Sequence, residues 1–244
     1  MLSSTSWRFT KPRWSPDGAK LAYSRSSTRD NRLAVAVLNA DGSGERLLTK
    51  PGHVDMQGSD WSKDGQAILG ACRFSQSERY STCLVHVSSA NEAGDPSVRI
   101  IASDPSRNLH NQRFSPEQRW ITFLAHDLLS ASTSTVYVMP AAGGPWRAVT
   151  DGACFDDKPR WGPDGRVLYF VSNRSSVANV WGRRFDTSTG TPTGEPFPVT
   201  SFRSAQFQLT PQTVRMDIAV TATHLLLPMS ESRSEIWMLD HVDR

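Results

Sequence analysis

The chain has 244 residues, of which 38% are hydrophobic and 21% are charged, and its formal net charge is +3. This composition is typical of a globular protein that is large enough to bury a core. Lysine and arginine are scattered without a basic run, which argues against a nucleic-acid partner. No apolar stretch approaches the roughly 20 residues that a membrane helix needs, so no membrane span is expected in this chain.

The first residues, 1–7, contain neither a basic segment nor an apolar core, so they do not form a signal peptide. The compartment therefore stays open at this point. The protein is expected in the periplasm if a leader or membrane anchor lies upstream, and in the cytoplasm otherwise.

One short phrase recurs along the chain. It begins with an aromatic residue at Trp14, Trp61, Phe114 and Trp161, and its fullest form is Trp-Ser-Pro-Asp-Gly. The spacings are 47, 53 and 47 residues, and a worn copy begins 48 residues later at Leu209. A period of about 40–50 residues with β character is typical of propeller blades.

Each repeat predicts four strands in the same order. The first strand ends at the aromatic residue, and a tight turn follows in which the glycine accepts a positive φ. The second strand is apolar on both faces in residues 167–171, as suits a strand that is covered on both sides. A third strand, such as 136–139, and a short fourth strand ending at 148–150 complete the unit. Four antiparallel strands per repeat make a propeller blade.

The fold class that these repeats predict is all-β, a β-propeller with four full blades and a partial fifth in a single domain, residues 1–244. The predicted blades span about residues 10–50, 51–103, 104–150 and 151–200, with the partial fifth at 201–244. The last unit offers a strand at 236–239 but no fourth strand after it. We therefore expect a fragment of a six- or seven-bladed propeller, prone to associate through open edges and exposed apolar faces.

Two details of the repeats carry further expectations. Gln118 stands where glycine is usual in the third turn, and a positive φ there should cost on the order of 1 kcal/mol, so that turn is expected to be reshaped. The repeated tryptophans Trp14, Trp61 and Trp161 are expected to pack between blades, because aromatic residues dominate buried cores.

The three cysteines, Cys72, Cys83 and Cys154, do not suit a disulfide framework. Cys72 and Cys83 fall on neighbouring predicted strands, where a cross-strand bridge is conceivable. Free thiols are favoured over that bridge, because cytosolic chains seldom keep disulfides.

The phrase Pro-x-Trp-Ser-Pro-Asp-Gly, the apolar strand after it, the Leu-Thr that closes a unit and the ending at 236–240 resemble the TolB-like or WD-like propeller repeat. The resemblance covers nearly the whole chain, from about Lys11 to Asp240. Such blades occur in periplasmic TolB, in sensor or interaction domains of bacterial regulators and kinases, and in prolyl-oligopeptidase-like peptidases. The resemblance implies a propeller and leaves the function open.

We do not expect an enzyme. The G-x-S-x-G elbow of serine hydrolases is absent from the sequence. H-E-x-x-H, clustered Cys and His ligands and a Walker-type loop are also absent, so neither a metal nor a cofactor is expected. The expected function is a non-catalytic scaffold that binds a protein, a peptide or a small polar ligand. One form of this expectation is the sensor or interaction part of a larger bacterial protein. The alternatives are the gating propeller of a prolyl-oligopeptidase-like peptidase and a TolB-like component of the periplasmic envelope.

The candidate binding residues lie in loops that differ between repeats. In a propeller, the connections that enter the innermost strands surround one mouth of the central channel, a natural concavity for a ligand. The favoured residues, with Arg29 as a flanking cation and the rest pointing inward, are His53, Asp55, His110, Asn111, Asp156, Asp157 and Arg29. Their mixture is expected to suit a polar or cationic group better than a phosphate. The alternative is that they are solvated turn formers.

Overall fold

The computed structural model describes residues 7–88, 98–127, 132–203, 207–209 and 217–231. The strands in these ranges are β1 (Trp7–Trp14), β2 (Lys20–Ser27), β3 (Leu33–Asn39), β4 (Arg46–Leu47), β5 (Asp55–Trp61), β6 (Ala67–Arg73), β7 (Ser81–His86), β8 (Val98–Ala102), β9 (Arg107–Phe114), β10 (Trp120–Asp127), β11 (Thr135–Pro140), β12 (Arg147–Ala148), β13 (Asp156–Trp161), β14 (Val167–Ser175), β15 (Val177–Asp186), β16 (Thr191–Pro198), β17 (Phe207–Leu209), β18 (Ala219–Val220), β19 (Leu225–Leu226) and β20 (Met229–Glu231). Among the described residues, no helix is long and apolar enough to cross a membrane.

Strands β1 to β16 form four separate four-stranded sheets, in each of which consecutive strands pair in chain order. We call β1–β4 blade one, β5–β8 blade two, β9–β12 blade three and β13–β16 blade four. Their pairing is antiparallel throughout, as in the ladder of β5, β6, β7 and β8. The predicted all-β propeller of four-stranded blades is confirmed. Of the partial fifth unit the structure describes two small sheets, β17 with β20 and β18 with β19, and the predicted strand at 236–239 lies outside the described residues.

The recurring phrase closes the hairpin between the first and second strands of each blade. In blade one the Gly18 amide donates to the Ser15 carbonyl at 2.9 Å, and Ser15 Oγ accepts the Lys20 amide at 2.8 Å. Gln118 takes the glycine position of blade three with a φ of 59°, close to the 70° of Gly18. The expectation of a reshaped turn is therefore wrong. The Gln118 side chain compensates part of the strain by accepting the Lys63 amide of blade two at 2.8 Å.

Apolar side chains fill the spaces between successive blades. Three buried clusters bring together, in order along the ring, Val37 with Ile68, Leu69 with Phe123, and Val138 with Phe170. Each pair joins one blade to the next, so the second and third strands of blades two and three are covered on both faces. This double cover is the reason for their nearly continuous apolar sequences.

The tryptophans of the phrase do not all lie between blades. Trp61 is 4% exposed, and its indole N–H donates to the Arg13 carbonyl of the preceding blade at 3.0 Å. Trp161 is 8% exposed and donates in the same way to the Arg113 carbonyl at 3.4 Å. Trp14 is 59% exposed, because no described blade covers that face of blade one. The expectation of a packed position is wrong for Trp14.

Cys72 and Cys83 form a disulfide between β6 and β7, with their Cα atoms 5.9 Å apart. The register places Cys83 opposite Gly70 and Cys72 opposite Ser81, so the two cysteines lie diagonally across the hairpin, and both are fully buried. The expectation of free thiols is wrong for this pair, since the decisive strand register is a property of the folded sheet. Cys154 is free.

Candidate functional site

The first strands of the four blades surround the central channel, with β1 against β5, β5 against β9 and β9 against β13. Side chains from three of these strands are linked across it. Lys11 Nζ of blade one donates to Asn111 Oδ1 of blade three at 2.9 Å. Asn111 Nδ2 in turn donates to Asp157 Oδ1 of blade four at 2.7 Å. The channel mouth is therefore crossed by a hydrogen-bonded chain that joins residues far apart in sequence.

The first strand of every blade has a bulge, where its register against the second strand shifts, and in blades one, three and four the bulge contains a residue with positive φ. The residues three positions before the aromatic, Lys11, Asn111 and Lys158, have φ angles of 53°, 57° and 55°. A positive φ costs a lysine about 1–2 kcal/mol because its Cβ approaches the backbone. All three side chains line the same cavity. Repeated strain at one concave surface favours a functional role for that surface.

The cavity has a volume of about 340 Å³ and lies at the end of the channel where the first strands begin, opposite the Asp-Gly turns. All four blades contribute to its wall. The lining residues are Lys11, Gln57, His110, Asn111, Leu124, His126, Phe155 and Lys158. Leu124 and Phe155 provide an apolar wall, and the other six residues provide hydrogen-bonding groups.

The two lysines of the cavity differ in their partners. Lys158 Nζ lies 3.0 Å from Asp157 Oδ2, and the Lys158 amide donates to Asp157 Oδ1 at 2.7 Å. Lys11 has the neutral Asn111 amide as its hydrogen-bond acceptor, and within the described part of the chain no carboxylate lies within 4.0 Å of its ammonium. Burial, followed by the positive charge of Arg113, lowers the pKa of Lys11 well below its usual value. Lys11 is therefore the lysine of the described lining without a carboxylate partner, and its ammonium form is disfavoured in the absence of a counter-ion.

Two histidines form one side of the cavity. The rings of His110 and His126 stack with centroids 5.3 Å apart, and Tyr80 lies 4.9 Å from the other side of His110. Burial, followed by the positive charge of Lys11, lowers the pKa of His110 to about 3. His110 is thus neutral near pH 7 and offers one donor and one acceptor nitrogen.

Below the cavity, the channel is closed by the protein's own charges. Arg13, Arg113 and Arg160 occupy the position before the aromatic in three blades, and all three pair with the Asp217 carboxylate of the fifth unit. The Arg113 contact is 3.0 Å long. Burial lowers the pKa of Arg113 to about 9, with a further contribution from Arg13. These three guanidinium groups share one carboxylate and do not line the cavity.

Of the residues that the sequence favours, the structure brings His110, Asn111 and Asp157 together at the channel mouth. Asp55 and Asp156 are buried but hold loops of their own blades. Asp55 accepts Gln76 Nε2 at 2.6 Å, and Asp156 accepts Arg174 Nη2 at 3.0 Å.

His53 and Arg29 are exposed in turns and do not line the cavity. The sequence reasoning missed Lys11, Lys158 and His126. The two lysines share the tetrapeptide Lys-Pro-Arg-Trp, and this repetition was the available signal. His126 lies on β10 and lines the cavity.

No family model matches the sequence. An uncharacterized protein of Agrobacterium fabrum is 27% identical over 183 residues, which cover 74% of this chain and 56% of the relative. TolB from Acinetobacter baumannii aligns with a TM-score of 0.58 and 21% identity, over 80% of this chain and 46% of TolB. A puromycin-hydrolyzing peptidase of Mycobacterium tuberculosis aligns with a TM-score of 0.63 and 14% identity, over 92% of this chain and 35% of the peptidase.

The chain thus spans about half the length of the curated relative and of TolB. Its fold is a TolB-like β-propeller, which confirms the resemblance seen in the repeats. Part of a much longer peptidase has the same fold. At these identities the likeness to solved structures concerns the fold alone, so the function has to be argued from the site.

Proposed function

We propose that this chain is a non-catalytic binding module, a propeller that recognises a peptide, a protein segment or a small polar ligand at the mouth of its central channel. The observation that carries this proposal is the cavity of about 340 Å³ on which all four blades converge. Three of its six polar lining residues, Lys11, Asn111 and Lys158, have a positive φ, and they lie on a scaffold whose blades pack against one another through buried apolar clusters. Concave polar surfaces on rigid scaffolds are where ligand binding is usually found.

The charges of the lining favour an anionic group of the ligand over the cationic group expected from the sequence. Two ammonium groups, Lys11 and Lys158, face one carboxylate, Asp157, which is already paired. His110 adds a neutral imidazole, since its pKa is lowered to about 3 chiefly by burial.

Two alternatives have support of their own. The likeness to a peptidase, with a TM-score of 0.63, is compatible with a gating propeller. A peptidase role would require a separate catalytic domain, because this sequence has no G-x-S-x-G elbow. The buried Cys72–Cys83 disulfide supports an oxidising compartment such as the periplasm, where a TolB-like envelope component would work.

The test is a selection of peptides from a displayed random library on the full chain, followed by affinity measurements on two matched variants. The cavity variant carries Lys11→Asn with His126→Ala. The control carries Lys63→Gln with Arg166→Gln, two exposed residues at the Asp-Gly turns of the opposite face. We expect affinity to fall at least tenfold, which is about 1.4 kcal/mol, in the cavity variant and to stay unchanged in the control. Peptides that lose affinity only for the control would place the functional face on the other side of the ring.

A further inference from the structure

We infer that the channel-mouth cavity binds a carboxylate, with the Lys11 ammonium as its counter-ion; this inference rests on the binding function proposed for the same site. The ligand class is a monocarboxylate that carries a short apolar group. Such a group occurs at the C-terminus of a peptide, in an acidic side chain and in a free organic acid.

The hydrogen bonds of Lys11 are the first step of the inference. An ammonium has three donors, and Lys11 uses one of them on the neutral side-chain oxygen of Asn111, at 2.9 Å. A partly buried cation without a carboxylate partner is costly, because it has lost water without gaining a counter-ion. A ligand carboxylate would supply that counter-ion and accept the remaining donors.

The protein's own carboxylates near the channel are already engaged. Asp157 accepts the Lys158 ammonium at 3.0 Å and the Asn111 amide at 2.7 Å, so both of its oxygens have partners. Asp217 is surrounded by three arginines in the layer below. Because Lys158 is paired with Asp157, Lys11 is the lysine of the described cavity lining that a ligand carboxylate can approach as a new partner.

The composition of the wall distinguishes a carboxylate from a phosphate. One lining lysine without a carboxylate partner matches a single carboxylate, and no arginine fork, the usual partner of phosphate, lines the cavity among the described residues. Gln57 and His126 add uncharged hydrogen-bonding groups beside Lys11. Leu124 and Phe155 offer an apolar wall to the carbon chain that carries the carboxylate.

The experiment is an NMR titration of the full ¹⁵N-labelled chain at pH 7 with three small probes. N-acetyl-leucine represents a C-terminal carboxylate, the α-amide of N-acetylglutamate represents an acidic side chain, and N-acetyl-leucinamide is the neutral match of the first. We expect saturable chemical-shift changes of backbone N–H groups around the cavity with one or both acids. The acid that binds should bind at least tenfold more tightly than N-acetyl-leucinamide. Which acid binds more tightly distinguishes the C-terminal from the side-chain source. Equal binding of acid and amide, or no binding of either acid, would overturn the inference.

Lys11→Asn is the decisive variant, because it introduces the residue that blade three carries at the equivalent bulge, and asparagine tolerates a positive φ. We expect Lys11→Asn to lower the affinity for the acids at least tenfold and to leave the affinity for N-acetyl-leucinamide unchanged. Lys63→Gln on the opposite face should change neither affinity. Unweakened binding of the acids to Lys11→Asn would exclude Lys11 as the counter-ion. If library peptides lose affinity for the cavity variant but the acids bind Lys11→Asn as tightly as wild type, only this inference fails. If no selected peptide loses affinity for the cavity variant, the proposed function fails as well.

Discussion

Positive φ angles at Lys11, Asn111 and Lys158 are the residue-level feature that sets this channel apart from an ordinary core. Each bulge costs about 1 kcal/mol or more in backbone energy, and the side chains that it directs inward are polar. Lys158 recovers energy through Asp157, and Asn111 through two hydrogen bonds. Lys11 gains the least of the three, with one hydrogen bond to a neutral acceptor, and this supports the carboxylate site proposed around it.

His110 predicts an acid sensitivity of folding. Its pKa is lowered to about 3, first by burial, whereas an unfolded histidine titrates near 6.5. Between these values the unfolded chain binds the additional proton, so the free energy of unfolding falls as the pH drops below 6.5. We expect His110 to account for about 1–2 kcal/mol of the loss between pH 7 and pH 5.

Urea denaturation of wild type and His110→Gln at the two pH values measures this contribution. The exposed His53→Gln serves as control and should retain the wild-type pH dependence. An identical loss of stability in wild type and His110→Gln would show that another group is responsible.

The cysteines predict a specific thiol count. The denatured, unreduced protein should expose one thiol, that of Cys154, and three after reduction, since Cys72 and Cys83 are paired. Replacing both paired cysteines by alanine should lower the free energy of unfolding by about 2–3 kcal/mol, as for a short closed loop. Three thiols before reduction would exclude the bridge.

The residue before the aromatic in the first strand distinguishes blade two from the other three blades. Blades one, three and four place Arg13, Arg113 and Arg160 there, whereas blade two places Asp60. The three guanidinium groups converge on Asp217, which comes from the fifth unit. A single carboxylate therefore attaches that unit to three blades.

Asp217→Asn should destabilise the protein by about 1–3 kcal/mol, because it removes the counter-ion of Arg113 and Arg160, which are buried. The matched control is Glu195→Gln, an exposed carboxylate of β16. Thermal denaturation of both variants, together with proteolysis of the segment around residue 217, provides the measurement. Equal stability of the two variants would mean that the arginine cluster does not depend on Asp217.

Whether a neighbouring blade covers the tryptophan of the phrase determines the self-association expected of the whole molecule. Between blades, the tryptophan of the phrase is covered and donates to the preceding blade, as Trp61 does. In blade one Trp14 is 59% exposed, whereas Tyr23 and Leu38 of the same blade are buried. An exposed tryptophan at this position offers an apolar contact for a second molecule. A propeller of six or seven blades stays a prediction.

Trp14→Ser should reduce self-association of the chain. We expect the apparent mass of wild type to rise with concentration in size-exclusion chromatography with light scattering, and that of Trp14→Ser to rise less. Phe74→Ser, which removes an exposed aromatic residue following β6, is the control and should behave as wild type. A wild-type chain that stays monomeric at every concentration would contradict the prediction.

The sequence by itself determined the propeller of four-stranded blades, and the reason is that the blade signals are local. Turn chemistry at Ser15–Gly18, the apolar strand after it and the repeat spacing each act within a few residues, so four copies report the same unit. The general position of the site, at the channel mouth opposite these turns, follows from the same repeat. His110 and Asn111 could be proposed on that basis.

Only the tertiary structure decided which side chains meet in the channel. Lys11 contacts Asn111, 100 residues further along the chain, and both point inward because a bulge reverses the strand alternation at that place. The Cys72–Cys83 pairing and the exposure of Trp14 were likewise decided by the tertiary structure. One depends on strand register and the other on whether a neighbouring blade covers the face, and neither property belongs to a single repeat.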